Sequence, residues 1–366
     1  MAARNHLAAL SGIVLLLSGC QAYEPLPLAR RPHLADRVSE LDFGPASAGR
    51  GPRPIDPARP LTIDAVSLLA VENNPDLKAA RTARGIAEAQ VIQAGILPNP
   101  QFTGQLGYIL SGPGVAAAWT IGLSQDVQKL ITLSATRRSA AYTAAQIVAD
   151  ILWQEWQVIG RARLLFVDTV EQARLRRLLG EERRLFAERY RRSARAVREG
   201  NLTLSAAAPD LAALSDLDRQ IAALDRQAAT RQRDLNALIG LKPEAVLRLA
   251  ADIRLPPLDP SAIARGLAGL PDRRPDLAAL RLGYRAEDEK LRAAILGQFP
   301  ALTVGGVGGA DVTKVTTLGP SITLNLPIFD RNQGHIAIER ATRRKLHEEY
   351  SSRLSATIAE VRGLLA

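Results

Sequence analysis

Hydrophobic and polar residues alternate in four short segments of the chain, which predicts four β-strands. The segments are residues 101–108, 118–124, 301–308 and 318–326, and the alternation is most regular in the last of them. At roughly 8–10 residues, these segments approach the 9–11 residues that a tilted transmembrane strand needs. A strand with one apolar and one polar face suits either an ordinary soluble hairpin or the wall of a lipid-facing barrel, so the segments alone leave both open.

A longer periodicity predicts two long helices, at about residues 134–199 and 204–240. In the first helix, Ile151, Val158 and Leu165 are seven residues apart. In the second, apolar residues follow steps of three and four, which is typical of a coiled coil. The first helix would be roughly 100 Å long. Because such a helix cannot fold back into a small globule, we expect it to pair with its neighbour helix and with other chains.

The predicted elements occur twice in the same order. Asn-Pro-Asp-Leu at residues 74–77 recurs as Arg-Pro-Asp-Leu at residues 274–277. Each copy follows a short apolar segment and opens an Ala/Arg/Glu-rich helical stretch that ends at proline, and a strand pair and a long helical pattern come next. The order predicts two internal repeats, residues 61–240 and an incomplete 261–366, joined by a linker at 241–260.

The N-terminal residues 1–19 have the pattern of a signal peptide. A basic residue, Arg4, precedes an apolar run at residues 7–17, and this run is shorter than the about 20 residues that span a bilayer. The order Leu-Ser-Gly-Cys ending at Cys20 looks like a bacterial lipobox, in which the cysteine is lipidated and becomes the first residue after cleavage. A plain anchor helix or a chance cysteine is the alternative.

The residues after the cysteine suggest where the protein is sent. Gln21 rather than Asp follows Cys20, which fits sorting to the outer membrane. Several acyl chains on one cysteine would anchor the protein far better than one. Residues 20–60 are rich in Pro, Arg and Gly, which predicts an extended tether between lipid and body, or a disordered segment.

Composition narrows the classes of function. The 366 residues include one Cys, so a disulfide framework and a cysteine-based zinc site are excluded. The net charge is +10, but the basic residues are mostly Arg scattered among Glu and Asp. Aromatic residues make up 4% of the chain, which is too few aromatic side chains for base stacking. We therefore predict no nucleic-acid partner.

Candidate chemistry is sparse, and we predict that the protein is not an enzyme and has no catalytic residues, metal site or cofactor. His335, Glu339 and His347 can share a helix face, but the polar face of a helix explains them better than a metal site. The acidic run at residues 287–289 is interpreted as a solvated helix face. The glycine-rich run at residues 305–309 precedes no helix and is interpreted as a barrel loop.

Together these features resemble the outer membrane factors, the TolC-type exit ducts of tripartite efflux pumps. The match covers about residues 61–366, and residues 93–100 resemble the CzcC-like subgroup that serves heavy-metal efflux. The resemblance implies a mostly α fold with a membrane β part. In it, three identical chains each give four strands to one closed twelve-stranded outer-membrane barrel, and their long helices form a periplasmic α-barrel.

The resemblance also assigns a role to the turn between the two long helices. There a periplasmic adaptor protein docks, on residues Gly200, Asn201, Leu202, Thr203, Leu204 and Ser205. A tight turn needs Gly or Asn for positive φ, and an exposed Leu202 would give the adaptor an apolar contact. A simple turn between helices, with no partner, is the alternative. Beyond the adaptor, the implied partners are an inner-membrane pump of the RND type and outer-membrane lipid.

By analogy with the first repeat, roughly 75 further residues would complete the second one. Three explanations would account for the incomplete second repeat: the sequence is a fragment, the gene is truncated, or this variant builds an incomplete barrel wall. For the complete protein we expect an outer-membrane channel, lipid-anchored and extending into the periplasm, that passes metal ions or small toxic compounds. A protein-secretion duct is a variant of this. The alternative is a structural periplasmic coiled-coil lipoprotein, or scaffold, without transport activity, which would have no need for matched strand pairs.

Overall fold

The computed structural model describes residues 23–44, 55–111, 116–253 and 257–366. Cys20 and the predicted signal peptide lie outside these residues. The chain divides into two units at Leu34 and Ala35. In the first unit, residues 23–34 form no helix or strand.

The described residues of the second unit are mostly helical and include a small antiparallel sheet, which confirms the prediction of a mostly α fold with a β part. Its helices are α1 (Ile63–Asn73), α2 (Pro75–Gly95), α3 (Val127–Arg198), α4 (Leu204–Leu238), α5 (Pro260–Gly266), α6 (Leu270–Arg273), α7 (Pro275–Leu296) and α8 (Gln333–Leu365). Its strands are β1 (Gln101–Gly107), β2 (Ala118–Asp126), β3 (Ala301–Ala310) and β4 (Thr316–Asn325). Among the described residues, no helix has both the length and the hydropathy to cross a membrane.

Helix α3 organises the unit. It has 72 residues, so it is about 110 Å long, and it packs against α1, α2, α4 and α7. It begins at Val127, seven residues before the sequence-based start, because the Asp126 carboxylate caps it by accepting a hydrogen bond from the Lys129 N–H at 3.1 Å. Strand β2 therefore continues into the long helix without a loop.

The motif Asn-Pro-Asp-Leu begins α2. The Asn74 side chain accepts a hydrogen bond from the Leu77 N–H (3.0 Å) and donates one to the Leu238 carbonyl (3.0 Å), which ties the start of α2 to the end of α4. Pro75 takes the first helical position, where no N–H is needed. At the start of α7, Arg274 instead forms two hydrogen bonds, each of 2.9 Å, with the Asp276 carboxylate. The two matching motifs thus begin their helices by different contacts.

A row of ion pairs runs between α3 and α4, which form an antiparallel hairpin. In three pairs the arginine is on α3 and the aspartate on α4, and in the fourth they are reversed: Arg176–Asp225 (2.7 Å), Arg183–Asp218, Arg189–Asp210 (2.8 Å) and Asp168–Arg231 (3.6 Å). Between them, Leu217, Ile221 and Leu224 of the predicted coiled-coil seam are buried. The exposed pairs contribute little each, and their spacing matches the register that the buried apolar seam sets.

The hydrophobic core lies where α1, the middle of α3 and the end of α4 meet. Its fully buried side chains include Phe166, Leu69 and Leu235. At 1.5 Å per residue, Phe166 is about 60 Å along α3 from the sheet. This hydrophobic cluster thus lies far from the strands.

The segment 35–44, interpreted from sequence as part of a tether, belongs to this core instead. Leu41 is 7% exposed, and the N–H of Ala35 donates to the Gly240 carbonyl at 3.0 Å. The residues assigned to a linker also pack here, because Leu241 is 1% exposed and pairs with Ala35. Apolar side chains in these short segments gain enough by burial to attach them to the helices.

The sheet has the order β1-β2-β3-β4, and every neighbouring pair is antiparallel. The glycine-rich run at residues 305–309 lies inside β3, so its interpretation as a barrel loop was wrong. At Gly305, an added Cβ would lie 2.3 Å from the Leu123 carbonyl oxygen. Glycine is therefore required here because β2 and β3 approach too closely for a side chain.

Candidate functional site: the sheet and the hairpin tip

One face of the sheet is apolar along all four strands. Side chains alternate between the two faces of a strand, and residues paired across strands share a face. The pairs Phe102–Leu123, Leu106–Trp119 and Val304–Ile322 fix the assignment. This face therefore carries Phe102, Leu106, Trp119, Ile121, Leu123, Leu302, Val304, Leu318, Pro320, Ile322 and Leu324, with the polar residues Gln125 and Thr316 near the ends of their strands.

The opposite face is polar or consists of glycine, with Val307 as its one bulky apolar side chain. It carries Gln101, Thr103, Gln105, Thr120, Ser124, Thr303, Thr317, Ser321, Thr323 and Asn325, with Gly122, Gly305, Gly309 and Gly319 between them. The two faces of the sheet therefore suit different surroundings, an apolar one and an aqueous one.

The apolar face is not covered by any other part of the described chain. Phe102 is 73% exposed, Ile322 is 70% exposed and Leu318 is 88% exposed. Contiguous exposed apolar surface marks contact with a membrane or another protein. The outer edges of β1 and β4 also have no strand partner among the described residues, and such edges favour pairing with another chain.

The hairpin tip joins α3 to α4 through residues 199–203. Gly200 has a φ of +75°, a left-handed conformation that costs glycine little. The N–H of Asn201 donates to the Ala196 carbonyl at 2.8 Å. The N–H of Gly200 donates to the Val197 carbonyl at 3.1 Å, so carbonyls at the end of α3 are satisfied by the turn itself.

The second half of the tip begins α4. The Thr203 hydroxyl oxygen accepts a hydrogen bond from the Ala206 N–H at 3.3 Å and lies 3.1 Å from the Ser205 hydroxyl. Leu202, expected to be exposed, is half-buried. The exposed leucine is Leu204, at 76%. The N–H of Leu202 donates to the Ala196 carbonyl at 3.2 Å, and Leu204 is the first residue of α4.

The acidic run at residues 287–289 is not the solvated face that the sequence suggested. Glu287 is 4% exposed and Glu289 is 7% exposed. Glu289 pairs with Arg138 of α3 at 2.9 Å, and Asp288 pairs with Arg343 of α8 at 2.7 Å. The run faces inward because α7 packs between α3 and α8, and no local pattern marks this.

The three residues considered as a polar helix face, His335, Glu339 and His347, all lie on α8. His335 and Glu339 line a cavity of about 550 Å³ between α2, α3, α7 and α8. His347 lies elsewhere, with its ring centroid 6.4 Å from that of Tyr284. Within the described ranges, no group of three His, Cys, Asp or Glu side chains is placed to hold a metal ion.

Comparisons with known proteins identify the fold. No family model and no curated protein matches the sequence. Among solved structures, the chain is similar to the Campylobacter jejuni outer membrane channel CmeC, with 16% identity, a TM-score of 0.67, and coverage of 94% of this chain and 78% of that one. It is also similar to the Vibrio cholerae outer membrane protein VceC, with 16% identity, a TM-score of 0.65, and coverage of 83% and 78%.

A third similar structure is a membrane protein from Pseudomonas aeruginosa, with 17% identity, a TM-score of 0.65, and coverage of 83% of this chain and 76% of that one. Similarity at this level of identity concerns the fold. The resemblance to outer membrane factors that the sequence indicated is confirmed at that level: the chain has the fold of these outer-membrane channel proteins.

Proposed function

We propose that this chain is one protomer of an outer-membrane channel, the exit duct of a tripartite efflux system. The duct would pass metal ions or small toxic compounds from a pump and an adaptor to the exterior. The observation that carries the proposal is the sheet, with an exposed apolar face and a polar face, continuing at β2 directly into a helix of 72 residues.

The open edges of the sheet support a trimer. Lipid cannot satisfy unpaired backbone groups, so a strand edge in a membrane has to be closed by another strand. Four strands are too few to close a barrel alone, whereas three copies supply twelve, a number within the range of outer-membrane barrels. In that arrangement the apolar face meets lipid and the polar face lines the lumen.

The helices support a duct that continues below the membrane. A helix of about 110 Å with a partner of 35 residues forms a wall only beside equivalent hairpins. The matching order of helix, strand pair and long helix in the two parts of the chain supports the internal duplication. Lipidation of Cys20 would add an anchor to the outer membrane, and it is supported by the Leu-Ser-Gly-Cys order in the sequence.

The competing function is a coiled-coil lipoprotein that scaffolds the envelope without transport. It accounts for the helical hairpin but leaves the apolar face of the sheet without a use. Residues Phe102, Ile322 and Leu318 are each at least 70% exposed, and a water-exposed scaffold would be destabilised by such a surface.

The experiment compares two adjacent substitutions in β4, Ile322→Arg and Thr323→Arg. Arginine on a lipid-facing position costs about 2–4 kcal/mol near the bilayer midplane, whereas lumen positions alter conductance instead. We expect wild-type protein to conduct ions in planar bilayers, Ile322→Arg to insert poorly, and Thr323→Arg to insert normally with fewer cations passing.

Wild-type protein that inserts but never conducts would contradict the channel. Equal insertion of the two variants would contradict the assignment of the faces, because the neighbouring positions differ only in the side of the sheet that they occupy.

The hairpin tip is the proposed adaptor-docking site, formed by Gly200, Asn201, Leu202, Thr203, Leu204 and Ser205. The exposed Leu204 is its apolar contact. We expect Leu204→Arg to reduce co-purification of the adaptor roughly tenfold. In the complex, the variant would lose an apolar contact and bury a charge, which together cost about 1.4 kcal/mol or more of binding free energy. Conductance of the isolated channel should not change.

Leu185→Arg is the matched control, because Leu185 is also an exposed leucine of the hairpin, at 64%, but lies in α3 away from the tip. It should bind the adaptor as the wild type does. If both variants bind equally well, the tip is a simple turn between helices.

A further inference from the structure

Glu287 of α7 is buried in a position that does not suit a charged carboxylate. It is 4% exposed, and its Oε1 atom has no hydrogen-bond partner. Its Oε2 atom lies 3.2 Å from the Nζ atom of Lys290, one turn along the same helix. One oxygen is therefore paired with a half-exposed ammonium group, and the other lies in the interior with no donor.

The residue that approaches Glu287 from α8 is a second carboxyl, Glu339. Glu339 lines the same cavity as Lys290, the partner of Glu287, and its hydrogen bond with Glu287 raises the pKa of Glu287. Two ionised carboxylates are both acceptors, so they can bond only when one of them carries a proton. The contact between the two helices at this point thus depends on the presence of that proton.

The surroundings allow the proton to exchange. Glu339 lines the cavity of about 550 Å³ between α2, α3, α7 and α8, which is large enough for water. Burial raises the pKa of Glu287, the hydrogen bond with Glu339 raises it further and Lys290 lowers it, which leaves it at about 7. The group therefore changes its charge near neutral pH.

We propose that Glu287 and Glu339 form a proton-controlled contact between α7 and α8. With the proton, the carboxyls bond to each other and hold the helices together. Without it, two negative charges face each other across the contact and α8 loosens. This inference is independent of the proposed transport function.

Other titratable groups near the pair have different partners or positions. Lys290 is on α7, and His335 is one turn from Glu339 on α8 and lines the same cavity. The cavity residues from α3 and α2 are uncharged, among them Ser139, whose hydroxyl donates to the Ala286 carbonyl at 2.9 Å. The neighbouring acids are already paired with arginines: Asp288 with Arg343 of α8, and Glu289 with Arg138 of α3.

The direction of the pH effect follows from linkage. The pKa of Glu287 is raised from 4.5 to about 7 in the folded protein, so between these values the folded state binds more protons than the unfolded state. Stability therefore falls as pH rises through this window and is level above it. A pH-dependent loosening of α8 should follow the same course.

The test is hydrogen exchange of the full chain at about pH 5 and about pH 8, corrected for the intrinsic exchange rate. In the wild type, we expect protection of α8 around Glu339 to fall roughly tenfold or more at the higher pH, as for a contact that loses at least one pKa unit of stabilisation. Protection of α4 should not change.

Two variants decide the cause. The side chain introduced by Glu287→Gln cannot ionise, so this variant should keep α8 equally protected at both pH values. If Glu287→Gln does not fold, Glu339→Gln replaces it in the same measurement. His335→Gln should retain the wild-type fall. Wild-type protection that does not depend on pH overturns the proposal, and so does a fall that persists in Glu287→Gln or is lost in His335→Gln.

Discussion

Replacing Gly305 with valine is expected to separate β2 from β3 and, in the proposed channel, to prevent assembly in the membrane. A Cβ atom at this position would lie 2.3 Å from the Leu123 carbonyl oxygen and 2.7 Å from the Ser124 Cβ atom. The strands cannot move apart without breaking the hydrogen bonds that join β1–β2 to β3–β4. We expect a cost of about 1–3 kcal/mol, seen as loss of a heat-modifiable assembled form on electrophoresis.

Gly319→Val is the control. Gly319 is a glycine of β4, and no atom lies within 4 Å of the Cβ position that valine would add. This variant should assemble as well as the wild type. Should Gly305→Val also assemble normally, the close approach of β2 and β3 would be contradicted.

Replacing Phe166 with alanine is expected to lower the free energy of unfolding of the helical body by about 3–5 kcal/mol, the cost of deleting a buried aromatic ring. Phe166 is fully buried on α3 and belongs to the cluster that contains Leu69 of α1 and Leu235 of α4. The cavity would open where three helices meet, so their packing cannot close it cheaply. Urea unfolding followed by circular dichroism measures the change.

Leu185→Ala on the same helix provides the comparison. Leu185 is 64% exposed, and its truncation should change the free energy of unfolding by about 0.5 kcal/mol or less. Comparable losses in the two variants would mean that the stability of the body does not come from the cluster around Phe166.

The repeating elements could be read from the sequence because their signals are local. Alternation with period two marks a strand, and steps of three and four mark a helix, whichever neighbours they meet. The strand predicted at residues 101–108 is found at Gln101–Gly107. The start of α3 was placed too late because residues 127–133 carry no clear heptad, although Asp126 offers a capping signal.

The burial of charged groups could not be predicted, because it depends on contacts between distant segments. The sequence around Glu287 is typical of a solvated helix face, and the packing of α7 between α3 and α8 is what buries it. The exposure of Leu204 instead of Leu202 could not be predicted either, because it depends on the geometry of the turn around Gly200. Helix packing and turn geometry supply this information, and periodicity does not.

The ion pairs Arg176–Asp225 and Arg183–Asp218 limit how related proteins could change the length of this hairpin. Consecutive partners are seven residues apart on each helix. Deleting a few residues from one arm alone would move these arginines away from their aspartate partners and turn the leucine seam outward. Insertions and deletions should therefore be tolerated when they remove or add whole heptads from both arms together, so that length variation in the hairpin occurs in steps of about 10 Å.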